Sequence, residues 1–207
     1  MDLNIVWFIL ITVLFSGFFL LEGFDYGVGH LAPFITDDSK ERRLLLHTIA
    51  PVWDGNEVWM ITAGGALFAA FPHVYATLFS AFYLPLFLLL MALILRGAGI
   101  ELRNRSAFPE WHNFWDWAVS FGSALPAFLW GVTVANLCAG LEINANMIYI
   151  GKMLDLLSGY TIVGGLAFLF VFSFHGAAFL LLRLSHSPLE ELSLIHISEP
   201  TRQAEIS

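Results

Sequence analysis

The sequence is poor in charge and has almost no cysteine. Of its 207 residues, 13% are charged, 58% are hydrophobic and one is a cysteine. Because a soluble domain carries about a quarter charged residues, this composition is typical of a membrane protein. The single cysteine, Cys138, excludes an internal disulfide framework and a multi-cysteine metal site. It lies in an apolar run, so we expect a buried and inert thiol.

Several sequence motifs are also absent, and their absence narrows the function classes. There is no P-loop, no dinucleotide-binding glycine motif and no nucleophile elbow, which argues against ATP use and soluble-type catalysis. No CxxCH motif, HxxxH pair or Glu-His cluster is present, so a haem or metal site within the chain is poorly supported. A formal net charge of -8 argues against nucleic acid as a partner.

The last sixteen residues, "LSLIHISEPTRQAEIS", differ in character from everything before them. Read as a translation, they resemble one frame of a transposon-library sequencing adapter. We therefore expect residues 192–207 to be adapter read-through without a domain. Residues 1–191 would then form one membrane domain, the N-terminal half of a longer protein. A natural amphipathic tail is the alternative.

Long hydrophobic runs are what the sequence does contain. A membrane span needs roughly 20 apolar residues, and five runs are candidates. These runs are residues 5–21, 51–71, 74–95, 115–137 and 160–184. Backbone groups must hydrogen-bond internally in lipid, and the runs are too continuous for barrel strands. The predicted fold class is therefore all-α, a polytopic transmembrane helical bundle with about five spanning helices. Pro85 and Pro126 lie within spans and predict kinks.

Basic residues occur in alternate loops. Those of the basic loops are Lys40, Arg42, Arg43, Arg96, Arg103, Arg105 and Arg183. The stretch after the fourth run has only Lys152, beside Glu142 and Asp155. The positive-inside rule places these loops in the cytoplasm and the N-terminus outside. The aromatic block "WHNFWDW" is typical of an anchor at the membrane interface. The stretch "TDDSKERRLLLHTIA" predicts a short amphipathic helix capped by Asp37 or Ser39.

Two pairs of acids stand three residues apart at span ends. Glu22 and Asp25 lie in "LEGFDYGVG", and Asp54 and Glu57 lie in "WDGNEVW". On a helix, each pair shares one face. A carboxylate at the bilayer centre costs about 2.5–3.5 kcal/mol, so buried acids there mark a functional site such as a proton route. Acids exposed near the headgroups are the alternative. Arg96 is the natural counter-charge on the same side.

His175 lies in the middle of the fifth predicted span, within "FSFHGAAF". A haem ligand, a member of a proton relay and a hydrogen-bonded core residue are the three interpretations. For a single imidazole the core interpretation is favoured.

Three blocks carry a resemblance to a known family. They are "GFDYGVGHLAPF", "IAPVWDGNEVWMITAGGALFAAFPHVY" and "FWDWAVSFGSALPAFLWGVTVANLCAG". Their order and spacing resemble subunit II of cytochrome bd-type quinol oxidases, over about residues 14–183. Family members continue for several more spans.

The resemblance implies a function for the complex and a role for this chain. The complex oxidises quinol and reduces dioxygen to water in the plasma membrane of a bacterium or archaeon. Haems b and d and the quinol site belong to the partner, subunit I. Membrane lipid and a small accessory subunit are further expected partners. This chain would not be catalytic alone, would bind no cofactor itself, and would support assembly.

The same resemblance assigns roles to the acids. Asp54 matches the aspartate of the family's WDGN motif and Asp25 that of its GFDYGVG motif. Both would line a proton route from the cytoplasm. Glu57 stands where an amide is also acceptable, and Glu22 is included by spacing alone.

Two other classes of protein remain open from the residues. A proton-coupled secondary membrane transporter would use acid pairs at paired broken helices near its midplane. The acids here lie at one edge, and no inverted repeat is visible, which disfavours it. A purely structural membrane scaffold is the third interpretation.

Overall fold

The structure is a computed structural model in which residues 2–184 are described. The tail interpreted as read-through, residues 192–207, lies outside them. The described residues form seven α-helices and two short 3-10 helices, Arg103–Arg105 and Met153–Leu156. The α-helices are α1 (Leu3–Ile35), α2 (Ser39–Ile49), α3 (Trp53–Ala70), α4 (Pro72–Ala81), α5 (Tyr83–Leu102), α6 (Pro109–Ala139) and α7 (Gly159–Leu184). The all-α fold class is confirmed.

Four helical segments in the described chain are long and apolar enough to cross a membrane. They are Leu3–Ile35, Tyr83–Arg105, Pro109–Ala139 and Gly159–Leu184. The second predicted span corresponds to α3, whose first turns carry Asp54, Asn56 and Glu57 and lower its hydropathy. The expected number of about five spans is therefore close to the four that length and composition select.

The third predicted span is divided at Phe82 into α4 and α5. Pro85 consequently stands at the third residue of α5. Its missing N–H loses no helical hydrogen bond there, because the first four N–H groups of a helix have no partner within it. The sequence interpretation of a kink within one span is thus replaced by a helix end. Pro126 lies inside α6, as expected, and is buried.

Helix α6 packs against α1, α5 and α7, and α1 also packs against α3. The central apolar core contains Phe18, Tyr26, Leu89, Leu93, Ala127, Leu129, Trp130 and Phe172. Glycines permit the closest approaches: a Cβ on Gly27 would overlap the carbonyl of Phe172 and the backbone of Gly176. The α1 and α7 backbones can therefore touch.

Two local expectations were wrong. The side chain that caps α2 is that of Asp38, whose Oδ1 accepts a hydrogen bond from the Lys40 N–H at 2.7 Å. Asp37 and Ser39 do not take this position. Cys138 is exposed, because it lies in the last turn of α6, beyond the part of that helix that is packed.

Candidate functional site: two buried charge clusters

Arg96 on α5 lies at the centre of the first cluster. Its side chain is fully buried and forms ion pairs with Glu22 of α1 and with Glu57 of α3, the latter at 3.4 Å. The guanidinium carbon lies 4.8 Å from the centre of the Tyr26 ring and 5.9 Å from that of Trp53. Aromatic faces at these distances attract a cation. Three helices thus bring opposite charges together inside the bundle.

Asp25 joins this cluster through an amide. Its Oδ2 accepts a hydrogen bond from Asn56 Nδ2 at 2.7 Å, and the same nitrogen donates to the Leu21 carbonyl at 3.3 Å. Asn56 therefore ties α1 to α3 beside the ion pairs. We call Glu22, Asp25, Glu57 and Arg96 the acid cluster.

The acid cluster contains three carboxyl groups and one guanidinium. Glu22, Asp25 and Arg96 are 0% exposed, whereas the Glu57 side chain is 19% exposed. Both Glu22 oxygens, Asp25 Oδ1 and Glu57 Oε1 are buried and accept no hydrogen bond from the described residues. Glu22 and Arg96 are within ion-pair distance, but their relative orientation does not make a hydrogen bond. The described residues therefore leave part of the hydrogen-bonding capacity of these carboxyl oxygens unused.

Asp54 lies apart from the acid cluster. It is exposed in the first turn of α3, and its Oδ1 accepts a hydrogen bond from the Gly55 N–H at 2.7 Å. The structure thus brings together Glu22, Asp25, Glu57 and the expected counter-charge Arg96, and it leaves Asp54 one helical turn outside them. The role of each acid stays a prediction.

His175 is half-buried on α7. Its ring meets Phe24 edge-on, with 5.7 Å between centroids. Within residues 2–184 no group of three or more His, Cys, Asp or Glu side chains could hold a metal ion. No histidine lines two apolar cavities of about 570 and 640 Å³ in the part of the chain that the structure describes.

A second charge cluster joins α2, α6 and the 3-10 helix Arg103–Arg105. Arg103 binds the Asp116 carboxylate with two nitrogens, one of them Nη2 at 3.1 Å from Oδ2. Arg42 Nη1 lies 3.5 Å from the same Oδ2. All three side chains are buried. We call Arg42, Arg103 and Asp116 the basic cluster.

Backbone carbonyls complete the basic cluster. Arg42 Nε donates to the Thr36 carbonyl at 2.7 Å, and Arg103 Nη2 donates to the Ser39 carbonyl at 2.9 Å. These bonds fix the segment between α1 and α2 against α6. Charge-assisted bonds of this kind are stronger than neutral ones.

The sequence interpretation missed the basic cluster. Arg42 and Arg103 were counted as loop charges, and the block around Asp116 was interpreted as an aromatic anchor. Trp117 and Phe114 are indeed exposed, whereas Asp116 between them is 1% exposed. A lone acid among aromatic residues was the available signal. Asn56 was missed as well, although it is an amide within an otherwise acidic and apolar helix start.

The fold and these clusters define a multi-pass membrane protein with charges buried between its helices. The chain belongs to the family of cytochrome bd terminal oxidase subunit II, which it matches over residues 3–194. It is 45% identical over 182 residues to cytochrome bd ubiquinol oxidase subunit 2 of Bacillus subtilis, covering 88% of this chain and 54% of that protein. The resemblance drawn from the three sequence blocks is thereby confirmed.

Two further relatives agree. The probable cytochrome oxidase subunit 2 of Haemophilus influenzae is 41% identical over 189 residues, covering 89% of this chain and 50% of that protein. Cytochrome bd-I ubiquinol oxidase subunit 2 of Escherichia coli K12 is 40% identical over 185 residues, covering 87% of this chain and 49% of that protein. The chain therefore spans about half the length of the curated relatives it matches.

Proposed function

We propose that this chain is the N-terminal part of the non-haem subunit of a membrane complex that oxidises quinol and reduces dioxygen to water. Family membership and the names of the relatives support this proposal. The complex would carry haems b and d and the quinol site on its partner, subunit I. This chain would contribute to assembly, and it would not be catalytic alone.

Within that complex, the acid cluster is part of a proton route. The observation that carries this proposal is the burial of three carboxyl groups around Arg96 with several of their oxygens unbonded. Reduction of dioxygen to water consumes protons, and these must cross a medium of low dielectric constant. Carboxyl groups can release and take up protons there, whereas a purely apolar bundle could not.

The exposure of the acids gives the route a direction. Asp54 is exposed, Glu57 is partly exposed, and Glu22 and Asp25 are fully buried. With the N-terminus outside, as the loop charges predict, the exposed end faces the cytoplasm of a multi-pass plasma-membrane protein. Protons that move from the cytoplasm into the bundle along these residues would carry charge through the membrane potential, at about 2.3 kcal/mol per charge per 100 mV for a full crossing.

Family membership also favours this function over a proton-coupled secondary transporter. A purely structural scaffold is less consistent with the acid cluster, because a scaffold gains nothing from buried carboxylate oxygens that lack hydrogen bonds.

The test is Asp25→Asn in the full-length protein with its partner subunit. The amide has nearly the same size, and its carbonyl can still accept the bond from Asn56, but it cannot release a proton. We expect dioxygen consumption per haem d to fall by about tenfold or more, since a positioned proton-transfer group typically contributes about 10²–10⁴-fold. Haem content should remain normal.

Asp2→Asn is the matched control. Asp2 caps α1 by accepting from the Asn4 N–H, and asparagine caps a helix equally well. The control substitution makes the same chemical change on α1, at its N-terminus and far from the acid cluster. Normal turnover per haem in Asp25→Asn, with less haem bound, would contradict the proton route and leave a structural role.

A further inference from the structure

A small polar pocket lies between α2 and the end of α5, next to the basic cluster. Its volume is about 90 Å³, about three times the share of one water molecule in the liquid. Its polar lining consists of Arg43, His47, Arg103 and Asn104, and its apolar lining of Leu46, Ala50 and Ile100. Among the described residues that line it, none is acidic. The pocket is therefore suited to a compact anion with an apolar group attached.

The Arg43 charge in this pocket has no acidic partner among the described residues, whereas the Arg103 charge is paired with Asp116. The Arg43 and His47 side chains lie one helical turn apart on α2, are exposed, and make no hydrogen bond or ion pair with residues 2–184. Arg103 is anchored to Asp116 and Ser39, yet none of those bonds uses its Nη1. The pocket thus combines a fixed guanidinium with a free one.

The position of the pocket points to membrane lipid as the source of the anion. It stands where the apolar run of the spanning segment Tyr83–Arg105 gives way to Arg103 and Asn104. At this level of a membrane, phosphate groups lie beside apolar side chains, and basic pockets between helices bind anionic headgroups. Arginine is well suited to phosphate because its planar fork can bind two oxygens.

We propose that this pocket binds the phosphate group of an anionic phospholipid. Arg43 and Arg103 bind the phosphate oxygens, Asn104 donates a further hydrogen bond, and the apolar lining packs against the glycerol and the start of an acyl chain. The site lies at the opposite end of α5 from the apolar cavities and is separate from the acid cluster. It requires no assumption about proton transfer.

The test compares Arg43→Gln with Lys40→Gln in the full chain. Each substitution removes one positive charge from α2, both side chains are exposed, and Lys40 does not line the pocket. The protein is placed in nanodiscs of phosphatidylcholine containing a minor share of phosphatidylglycerol, then released and analysed by native mass spectrometry for retained phosphatidylglycerol. Losing one charge-assisted contact should weaken retention about tenfold in Arg43→Gln and little in Lys40→Gln.

A second arm separates lipid from free phosphate. Inorganic phosphate is added to the protein in detergent without lipid, and the thermal midpoint is measured. We expect phosphatidylglycerol, and not millimolar phosphate, to raise the midpoint in an Arg43-dependent way. Equal lipid loss in the two variants would overturn the site, because it would reflect surface charge alone. An equal shift with inorganic phosphate would overturn lipid as the source.

Discussion

The two charge clusters differ in which sign is in excess and in how well their polar atoms are bonded. The acid cluster surrounds one guanidinium with three carboxyl groups and leaves several oxygens without a hydrogen bond. The basic cluster surrounds one carboxylate with two guanidinium groups, and backbone carbonyls accept further bonds from both arginines. Both are buried in the same bundle.

The difference follows from what each group can do with its proton. A buried arginine stays charged. Arg96 in the acid cluster has two acids at ion-pair distance, although its three guanidinium nitrogens make no hydrogen bond within the described chain. A buried carboxylate can become neutral by taking up a proton, so incomplete bonding is tolerated. An excess of acid with incomplete bonding is therefore compatible with proton exchange. An excess of arginine around a carboxylate whose two oxygens both accept hydrogen bonds is compatible with a fixed joint. Substitutions in each cluster should separate the two behaviours.

The largest effect is expected from Asp116→Asn. This change leaves Arg103 buried without an acidic partner among the described residues, and it leaves Arg42 with only the exposed Asp37. Breaking a buried pair costs about 3–5 kcal/mol. The measurement is the free energy of unfolding in mixed micelles, with the yield of folded chain in membranes as a second readout. Asp37→Asn is the control, because Asp37 also pairs with Arg42 but is fully exposed. If both variants behave alike, the basic cluster is not a fixed joint.

Arg96→Gln should destabilise the fold by less, about 1–3 kcal/mol, the usual cost of leaving buried polar groups unsatisfied. The ion pairs and the contacts with Tyr26 and Trp53 are lost. The remaining acids, however, can each become neutral by taking up a proton. The arginines of the basic cluster cannot become neutral by losing one. The same unfolding experiment gives the comparison. A loss larger than that of Asp116→Asn would show that the acids stay charged and would reverse the contrast.

The sequence was sufficient to predict the fold class, because long apolar runs in lipid leave few alternatives to helices. It also predicted Arg96 as the counter-charge, since Arg96 ends an apolar run on the side where the acids lie. Helix ends were harder. The break at Phe82 lies three residues before Pro85, so the proline indicated an irregularity but not that a separate helix would begin there.

The basic cluster shows what the sequence could not provide. Asp116 pairs with Arg103, thirteen positions away across a turn, and with Arg42, which is 74 positions away. Such long-range pairs leave no periodic pattern. Spacing did predict that Glu22 and Asp25 share a face, but the amide bridge from Asn56 depends on how α3 docks on α1.

Packing beside the acid cluster can be tested at a glycine. Gly27 lies two residues beyond Asp25, and a Cβ there would meet the Phe172 carbonyl and Gly176. Gly27→Ala should therefore cost about 1–3 kcal/mol of unfolding free energy by overpacking. Gly64→Ala is the control, since nothing lies within 4 Å of its added Cβ. Alanine there should be neutral or stabilise the helix by up to about 1 kcal/mol. Tolerance of Gly27→Ala would mean that α1 and α7 can separate without disturbing the bundle.

The smallest effect on stability is expected from Asp54→Asn. Asp54 is exposed and bonds only to the adjacent Gly55 N–H, so the change should alter the free energy of unfolding by less than about 0.5 kcal/mol. Its effect on turnover is the sharper test. At an exposed position, water can deliver protons in place of the carboxyl group, so turnover per haem d should fall less than in Asp25→Asn. If Asp54 and Asp25 lie on one route, the loss of turnover in the double variant should be smaller than the combined losses of the two single variants. A fall as large as that of Asp25→Asn would mean that Asp54 is covered in the full complex and acts inside the route. In that case its exposure in this chain reflects the absence of its covering surface, and the acid cluster extends one turn further along α3.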